Sequence, residues 1–354
     1  MRYWRPVSVL AAIVLEPDSP PHVHASSDRQ EDGACGASGM TPRRIAITGA
    51  SGFIGARIAE RLLERGHALA LLIRSPKPDD RAAAIYGQCE TIVGDLQSPT
   101  SYADALHAFR PDTLLHAAWV GVAGADRDDP RQIANIAATA ALLEQAIAAG
   151  VDSFVGLGSQ AEYGRQNRKL DEGAPVEPTT LYGLSKLAAY RVTDSICRMR
   201  QLRHAWLRVF SVYGPRDNPG WLIPSLIAKL YAGQTPELTR CEQIWDFLFV
   251  DDAADAAVTV LETSSASGVF NLGSGEGRPL WETVALLRDI VRPRADLGIG
   301  RIPYQPDQVM HLEADTTRLR SATGWKPATD LQTGLQATAR WFCRPEAKRI
   351  AARA

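Results

Sequence analysis

The 354-residue chain has little cysteine, no paired metal-binding motif and no excess of either charge. Its five cysteines (Cys35, Cys89, Cys197, Cys241 and Cys343) are odd in number and widely spaced, with no Cys-x-x-Cys among them. Such spacing indicates neither a disulfide framework nor a zinc ribbon and fits a reducing compartment. The seven histidines lie apart except for His22 and His24, and no His-Glu-x-x-His occurs, so no protein-bound metal is expected. With 39 basic against 40 acidic residues, neither nucleic acid nor an anionic membrane surface is the expected partner. A small molecule, met in the cytoplasm, is the default.

What is present reads as an ordinary soluble protein: 45% hydrophobic and 22% charged, long enough for about two domains. Near the N-terminus, Arg2 and Arg5 precede a short apolar run, Val7 to Leu15, which is too short to span a bilayer. It has the form of a secretion signal, with Val23-x-Ala25 as a cleavage site; the simpler expectation is that translation starts at Met40, directly before the first strong strand. Either way, residues 1–39 are expected to lie outside the fold, and 346–354 to be a tail.

From Arg43 the pattern alternates strand and helix. Ile45–Thr48, His67–Ile73, Thr91–Val93, Asp112–His116, Ser153–Leu157 and Trp206–Phe210 read as strands. Helical patterns start after Gly52 and run from Arg131 to Gly150 and from Leu181 to Gln201. Strands separated by helices predict an α/β fold with a parallel, doubly wound sheet. The expected division is a dinucleotide-binding domain over 41–215 and a smaller α/β substrate domain over 216–345. Strands near 247–250 and 269–272 are candidates to return to the first domain.

Two motifs carry chemistry. Gly49-x-x-Gly52-x-x-Gly55 falls between a strand and a helix. A glycine triplet alone marks a turn, but in that setting it lets backbone N–H groups approach a pyrophosphate at the helix N-terminus. An acid about 20 residues on would read an adenosine ribose hydroxyl. Arg74, followed by Ser75, stands there instead, and a guanidinium pairs with a 2′-phosphate where a carboxylate would repel it. NADP(H) is therefore the expected cofactor, with NAD the alternative. Asp95, ahead of Leu96, is placed to receive the adenine amino group. The second motif, Tyr182-x-x-x-Lys186, puts a phenol and an ammonium one helical turn apart. A nearby cation lowers a phenol's pKa, which gives a tunable acid/base for hydroxyl–carbonyl interconversion.

These residues resemble the extended short-chain dehydrogenase/reductase family, in its nucleotide-sugar epimerase/dehydratase/reductase branch. The likeness runs from about Arg43 to Arg340. It rests on Thr48 through Gly55, His116-Ala117-Ala118, Ser159-x-x-x-Tyr163-Gly164, Tyr182-x-x-x-Lys186, Asp246 through Asp252, Phe270-Asn-Leu-Gly273 and Gly324-Trp-Lys-Pro327. The resemblance implies a Rossmann sheet and a homodimer. Ser51, Phe53, Ile54, Leu96 and Ala117 would join the glycines around the cofactor. Ser159 would hold the sugar oxygen, Tyr182 would exchange its proton, and Lys186 would bind the nicotinamide ribose and depress the tyrosine pKa. Phe210, Ser211, Ile223 and Pro224 would meet the sugar nucleotide, and Asn135 and Thr139 would support the site. His116 is equally well read as a core histidine at a strand end.

Departures bear on the reaction. Dehydratases of the family carry an acid pair directly after the position of Ser159; here stand Gln160 and Ala161, with Glu162 one place later. Elimination of water is not expected. Trp245 replaces the arginine that usually precedes Asp-Phe, and Gln305 aligns with a second diphosphate-binding arginine, leaving Arg216 or Arg240 as possible substitutes. An indole cannot neutralise phosphate but stacks on a base or sugar face. The expected activity is NADP(H)-dependent reduction of a 4-keto-6-deoxy sugar nucleotide. The alternatives are an NAD-dependent epimerase and, last, a dinucleotide-sensing protein without catalysis.

Overall fold

A computed structural model describes residues 41–344. The expectations for residues 1–39 and 346–354 fall outside them. In chain order the elements are β1 (Arg44–Thr48), α1 (Phe53–Glu64), β2 (Ala68–Ile73), β3 (Glu90–Val93), α2 (Ala103–Phe109), β4 (Thr113–His116), α3 (Gln132–Ala148), β5 (Ser153–Ser159) and β6 (Arg168–Leu170). They continue with α4 (Leu181–Met199), β7 (Arg203–Val209), β8 (Ser211–Tyr213), α5 (Leu222–Tyr231), β9 (Ile244–Phe249), α6 (Val250–Glu262), β10 (Gly268–Leu272), β11 (Gly277–Pro279), α7 (Leu280–Val291), β12 (His311–Ala314), α8 (Thr317–Thr323) and α9 (Leu331–Phe342).

Seven strands form one parallel sheet in the order β10-β7-β5-β4-β1-β2-β3. Its inner strands β1, β4 and β5 are buried on both faces because helices cover both, while the edge strand β3 is largely exposed. On β1, Ile45 and Ile47 face a core shared with α1 and α6, while Ala46 faces the opposite core with Leu106, Leu142 and Trp206. α1 buries Gly55, Ala56, Ile58, Ala59 and Leu62, a one-sided stripe at helical spacing. The N-terminus of α4 is fixed by Thr180, whose hydroxyl accepts from Gly183 N at 3.1 Å. The strand order reverses direction between β1 and β4, and ligands of such sheets sit outside the carboxyl ends at that point.

A second sheet of five short strands runs β11-β9-β12-β6, with β8 beside β9. Helices α5, α7 and α9 pack on a separate core around Ile227, Leu230, Leu287 and Leu335. Of the two strands expected as candidates to return, Gly268–Leu272 joins the seven-stranded sheet beside β7. Ile244–Phe249 does not: it pairs with β8, β11 and β12 in the second sheet. Asp246, within this strand, explains the difference. That buried carboxylate accepts from Ser274 N at 2.8 Å, Gly275 N at 3.1 Å and Ala314 N at 3.1 Å, all in or beside second-sheet strands.

Hydrogen bonds also tie the two sheets together. Asn271, in β10, donates its side chain to Leu170 O at 2.8 Å and accepts from the Tyr163 hydroxyl at 2.7 Å. The backbone N–H of Asn271 donates to Glu172 at 2.7 Å.

Candidate active site

The loop after β1 opens the site. Gly49 has φ +77°, and a Cβ there would lie 2.5 Å from Ala118 N; a Cβ on Gly55 would lie 2.2 Å from Gly49 O. Both positions thus need glycine, one for its backbone angle and both for close approach. The result is a tight turn held against the Ala117–Ala118 segment after β4. Gly52, at the N-cap of α1, makes no side-chain capping bond, so the first N–H groups of that helix face the mouth of the sheet. A cleft of about 1130 Å³ lies over them, more than a single drug-sized ligand usually needs. An uncapped helix end, a glycine turn with no side chain in the way and a roomy cleft fit a dinucleotide pyrophosphate.

Of the residues expected to bind cofactor or substrate or to carry the chemistry, all but Pro224 and the positions considered for a diphosphate clamp line this one cleft. Gly49, Ser51, Gly52, Phe53, Ile54 and Gly55 contribute to its lining, as do Arg74, Asp95, Leu96 and Ala117. Ser159, Tyr182 and Lys186 line it too, with Phe210, Ser211, Ile223 and Trp245. Arg74 is exposed at the end of β2. Asp95 accepts from Gln97 N at 2.9 Å, the hydrogen bond of a turn aspartate. Trp245 donates from its indole to Ser211 Oγ at 2.7 Å.

The substitutes expected for a diphosphate clamp do not line the cleft. Arg216 is held by Glu60 at 2.7 Å and donates to Arg81 O, which turns it away. Arg240 and Gln305 also lie outside the lining. The arginines that do belong to the lining are Arg74, Arg81, Arg127 and Arg131.

At the centre, Ser159 and Tyr182 line the cleft together, close enough for the serine hydroxyl to act on the phenol. Burial raises the Tyr182 phenol above its ordinary pKa, and Ser159 and the Arg127 cation pull it down. The phenol of the protein alone is therefore not depressed as expected, because desolvation outweighs the pull of Ser159 and Arg127. Lys186 is buried and lowered to about 7, also by desolvation. Its ammonium donates to Leu157 O at 2.7 Å and lies 3.9 Å from the centre of the Trp119 ring. Trp119 meets Tyr182 edge-on at 6.3 Å and donates to Gln132 Oε1 at 2.8 Å. Sequence reading missed Trp119, though its place directly after His116-Ala-Ala was a usable signal.

Glu162 is not available for chemistry. It has no exposed surface, and its carboxylate accepts from Ser159 N at 2.9 Å, from Trp206 Nε1 at 2.9 Å and from Arg208 at 2.8 Å. It caps the turn that presents Ser159. Asp217, also missed, lies buried in the lining, where desolvation pushes its carboxyl up to about 7.

His116 is a core histidine. It lies between Thr48 Oγ1 at 2.8 Å and Thr139 Oγ1 at 3.0 Å, and burial with Lys186 nearby lowers its pKa to about 3. Asn135 holds the loop after β4 through both polar atoms of Val120. His204, stacked on Phe154 and lowered by burial to about 4, is a second neutral core histidine. In the unfolded chain such rings titrate near 6.5. The folded state therefore binds fewer protons below that pH, and each ring's contribution to stability is lost as pH falls from about 6.5 toward 4. Asp217, whose folded pKa is raised, works in the opposite sense. The test is accordingly differential: the stability gap between wild type and His204→Gln should shrink from pH 7 to pH 5 in urea unfolding. A gap constant with pH would contradict the assignment.

The NAD dependent epimerase/dehydratase family model matches residues 45–273. The UDP-glucose 4-epimerase of Mycolicibacterium smegmatis is 27% identical over 325 residues, covering 84% of this chain and 98% of its own. A dTDP-glucose 4,6-dehydratase of Xanthomonas campestris is 26% identical over 322 residues, with 84% and 92% covered. The solved UDP-glucose 4-epimerase of Thermus thermophilus, in complex with NAD, superposes with a TM-score of 0.75 at 25% identity, over 84% of this chain and 98% of that one.

Proposed function

The chain belongs to the NAD dependent epimerase/dehydratase family, and from that premise we propose that it is a nucleotide-sugar 4-epimerase. The observation that carries the reading is the meeting of Ser159, Tyr182 and, one helical turn on, Lys186 in the cleft that also holds the uncapped start of α1. When bound, NAD(P) would supply reversible hydride chemistry, the hydride leaving one face of the sugar carbon and being delivered to the other. Ser159 orients the hydroxyl of a nucleoside-diphosphate sugar. Tyr182 takes the hydroxyl proton as the carbonyl forms and gives it back as the hydroxyl is restored. Lys186 would meet the nicotinamide ribose, and the α1 N-terminus with the glycine turn would receive the pyrophosphate. The relatives that act as 4-epimerases support this over the 4-ketoreductase expected from sequence. Dehydration is disfavoured because Gln160 and Ala161 cannot transfer protons and Glu162 is committed to Arg208.

The purified protein, given UDP-glucose or UDP-glucuronate without added cofactor, should equilibrate each with its C4 epimer. Stoichiometric NADPH oxidation by a 4-keto sugar nucleotide, with no epimerisation, would replace this reading with the reductase. That second reading has one observation of its own: Arg74 at the end of β2 favours a 2′-phosphate. Arg74→Asp should weaken NADP binding about tenfold or more and spare NAD, as measured by fluorescence titration. Equal affinities before and after substitution would remove Arg74 from cofactor selection. The same reading includes a cytoplasmic homodimer; exposed Ile133 on α3 and Leu184, Val192 and Met199 on α4 offer an apolar face for it. Among the described residues, no helix is long and apolar enough to cross a membrane. The division into a cofactor domain over 41–215 and a substrate domain over 216–345 is proposed with it, β10 being lent to the first.

A further inference from the structure

The short turn Gly124–Asp128 carries a guanidinium into the cleft, where Cζ of Arg127 lies 4.6 Å from the ring centre of Tyr182. Among the described residues no carboxylate pairs with Arg127, and its Nε is buried without a hydrogen-bond partner. Leaving a partly desolvated cation unpaired is costly, so its neighbours should repay that cost in some other way. The turn that carries it is fixed in place. Asp128 accepts from Leu181 N at 2.9 Å at the start of α4, and Gln132 donates to Asp126 O at 2.9 Å. Arg127 is thus held over the phenol by the same helix start that positions Tyr182.

We infer that Arg127 is a positioning residue for Tyr182: its cation lies on the ring face and stabilises the phenolate that forms when Tyr182 has given up its proton. The inference rests on Tyr182 being the acid/base of the proposed epimerase. The other groups facing the phenol do not supply this charge. Ser159, from β5, is neutral, and Glu162, from the turn after β5, is anionic but neutralised by Arg208. Lys186, on the same helix, gives its ammonium to Leu157 O and the face of Trp119. The pull of Arg127 on the phenol is in the required direction.

Two measurements on the full-length holoenzyme test it. One is the pH profile of kcat/KM for wild type, R127Q and R127K. The other is the ultraviolet titration of the phenol, taken as the difference between each protein and its Tyr182→Phe counterpart. Removing a cation at this distance should move the acid limb and the phenol titration of R127Q up by about one unit. Activity then falls about tenfold near neutral pH and recovers in alkali, with R127K between the two. A uniform loss at every pH, or an unmoved phenol titration, would overturn the inference and leave Arg127 a structural contact. If no nucleotide sugar is turned over, the epimerase reading fails while the phenol titration still decides the role of Arg127. Should R127Q not fold, R127M, which keeps the apolar stem, takes its place.

Discussion

Tyr182→Phe lowers kcat by about 10²–10⁴-fold while cofactor affinity stays near that of wild type. Only one hydroxyl is lost. The ring keeps its edge contact with Trp119 and its face contact with Arg127, so the pose of α4 in the cleft is preserved. Ser159 keeps its place too, because its hydroxyl accepts from Ala161 N at 3.1 Å and its backbone N–H is bound by Glu162. What disappears is the proton donor and acceptor at the sugar oxygen. Steady-state rates on the nucleotide sugar, paired with cofactor titration, check both halves. A Phe variant as active as wild type would remove Tyr182 from the chemistry, and one that no longer bound cofactor would point to a structural role.

The second large effect concerns stability. Arg208→Met should cost about 3–5 kcal/mol, because it strands the Glu162 carboxylate in an apolar interior. The pair is closed at 2.8 Å with side-chain exposures of 3% and 0%, and the guanidinium also lies 4.4 Å from the centre of the Tyr163 ring. The double variant Glu162→Gln with Arg208→Met should recover most of that loss. A neutral amide still offers an oxygen to Ser159 N and Trp206 Nε1 and leaves no buried charge unpaired. Urea unfolding of the three proteins decides it. A single variant that loses under about 1 kcal/mol would mean the pair is far better solvated than its burial implies.

The part of the site that could be read from sequence is the part whose chemistry is local. The glycine turn, the Tyr182–Lys186 spacing and the apolar strands each occupy a few consecutive residues, and all of them meet in one cleft. The inner strands of the large sheet were legible because they are buried on both faces and run as largely apolar blocks. By contrast, β6, β11 and β12 are three or four residues long, with alternation too brief to register. Helix α6 was hidden behind the Asp246–Asp252 motif, although its alanines pack it tightly on α1. Arg127, Trp119 and Asp217 escaped for a different reason. Each acquires its meaning from a partner distant in sequence, and an arginine in a loop looks like any solvated arginine until a tyrosine 55 positions on is found beneath it. Arg216 shows the converse error: a plausible phosphate ligand by position is committed to Glu60, 156 residues away.

The path of the chain through its sheets has a consequence for biosynthesis. The seventh strand of the large sheet, β10, follows β9 and α6, so the ribosome makes most of the second layer's central strand before the first layer is complete. Until residue 272 has emerged, β7 is a bare edge with unpaired N–H and C=O groups, and the Tyr163 hydroxyl and Leu170 carbonyl lack the side chain that joins them. A nascent chain stalled near 215 is therefore a sticky intermediate that later residues must close.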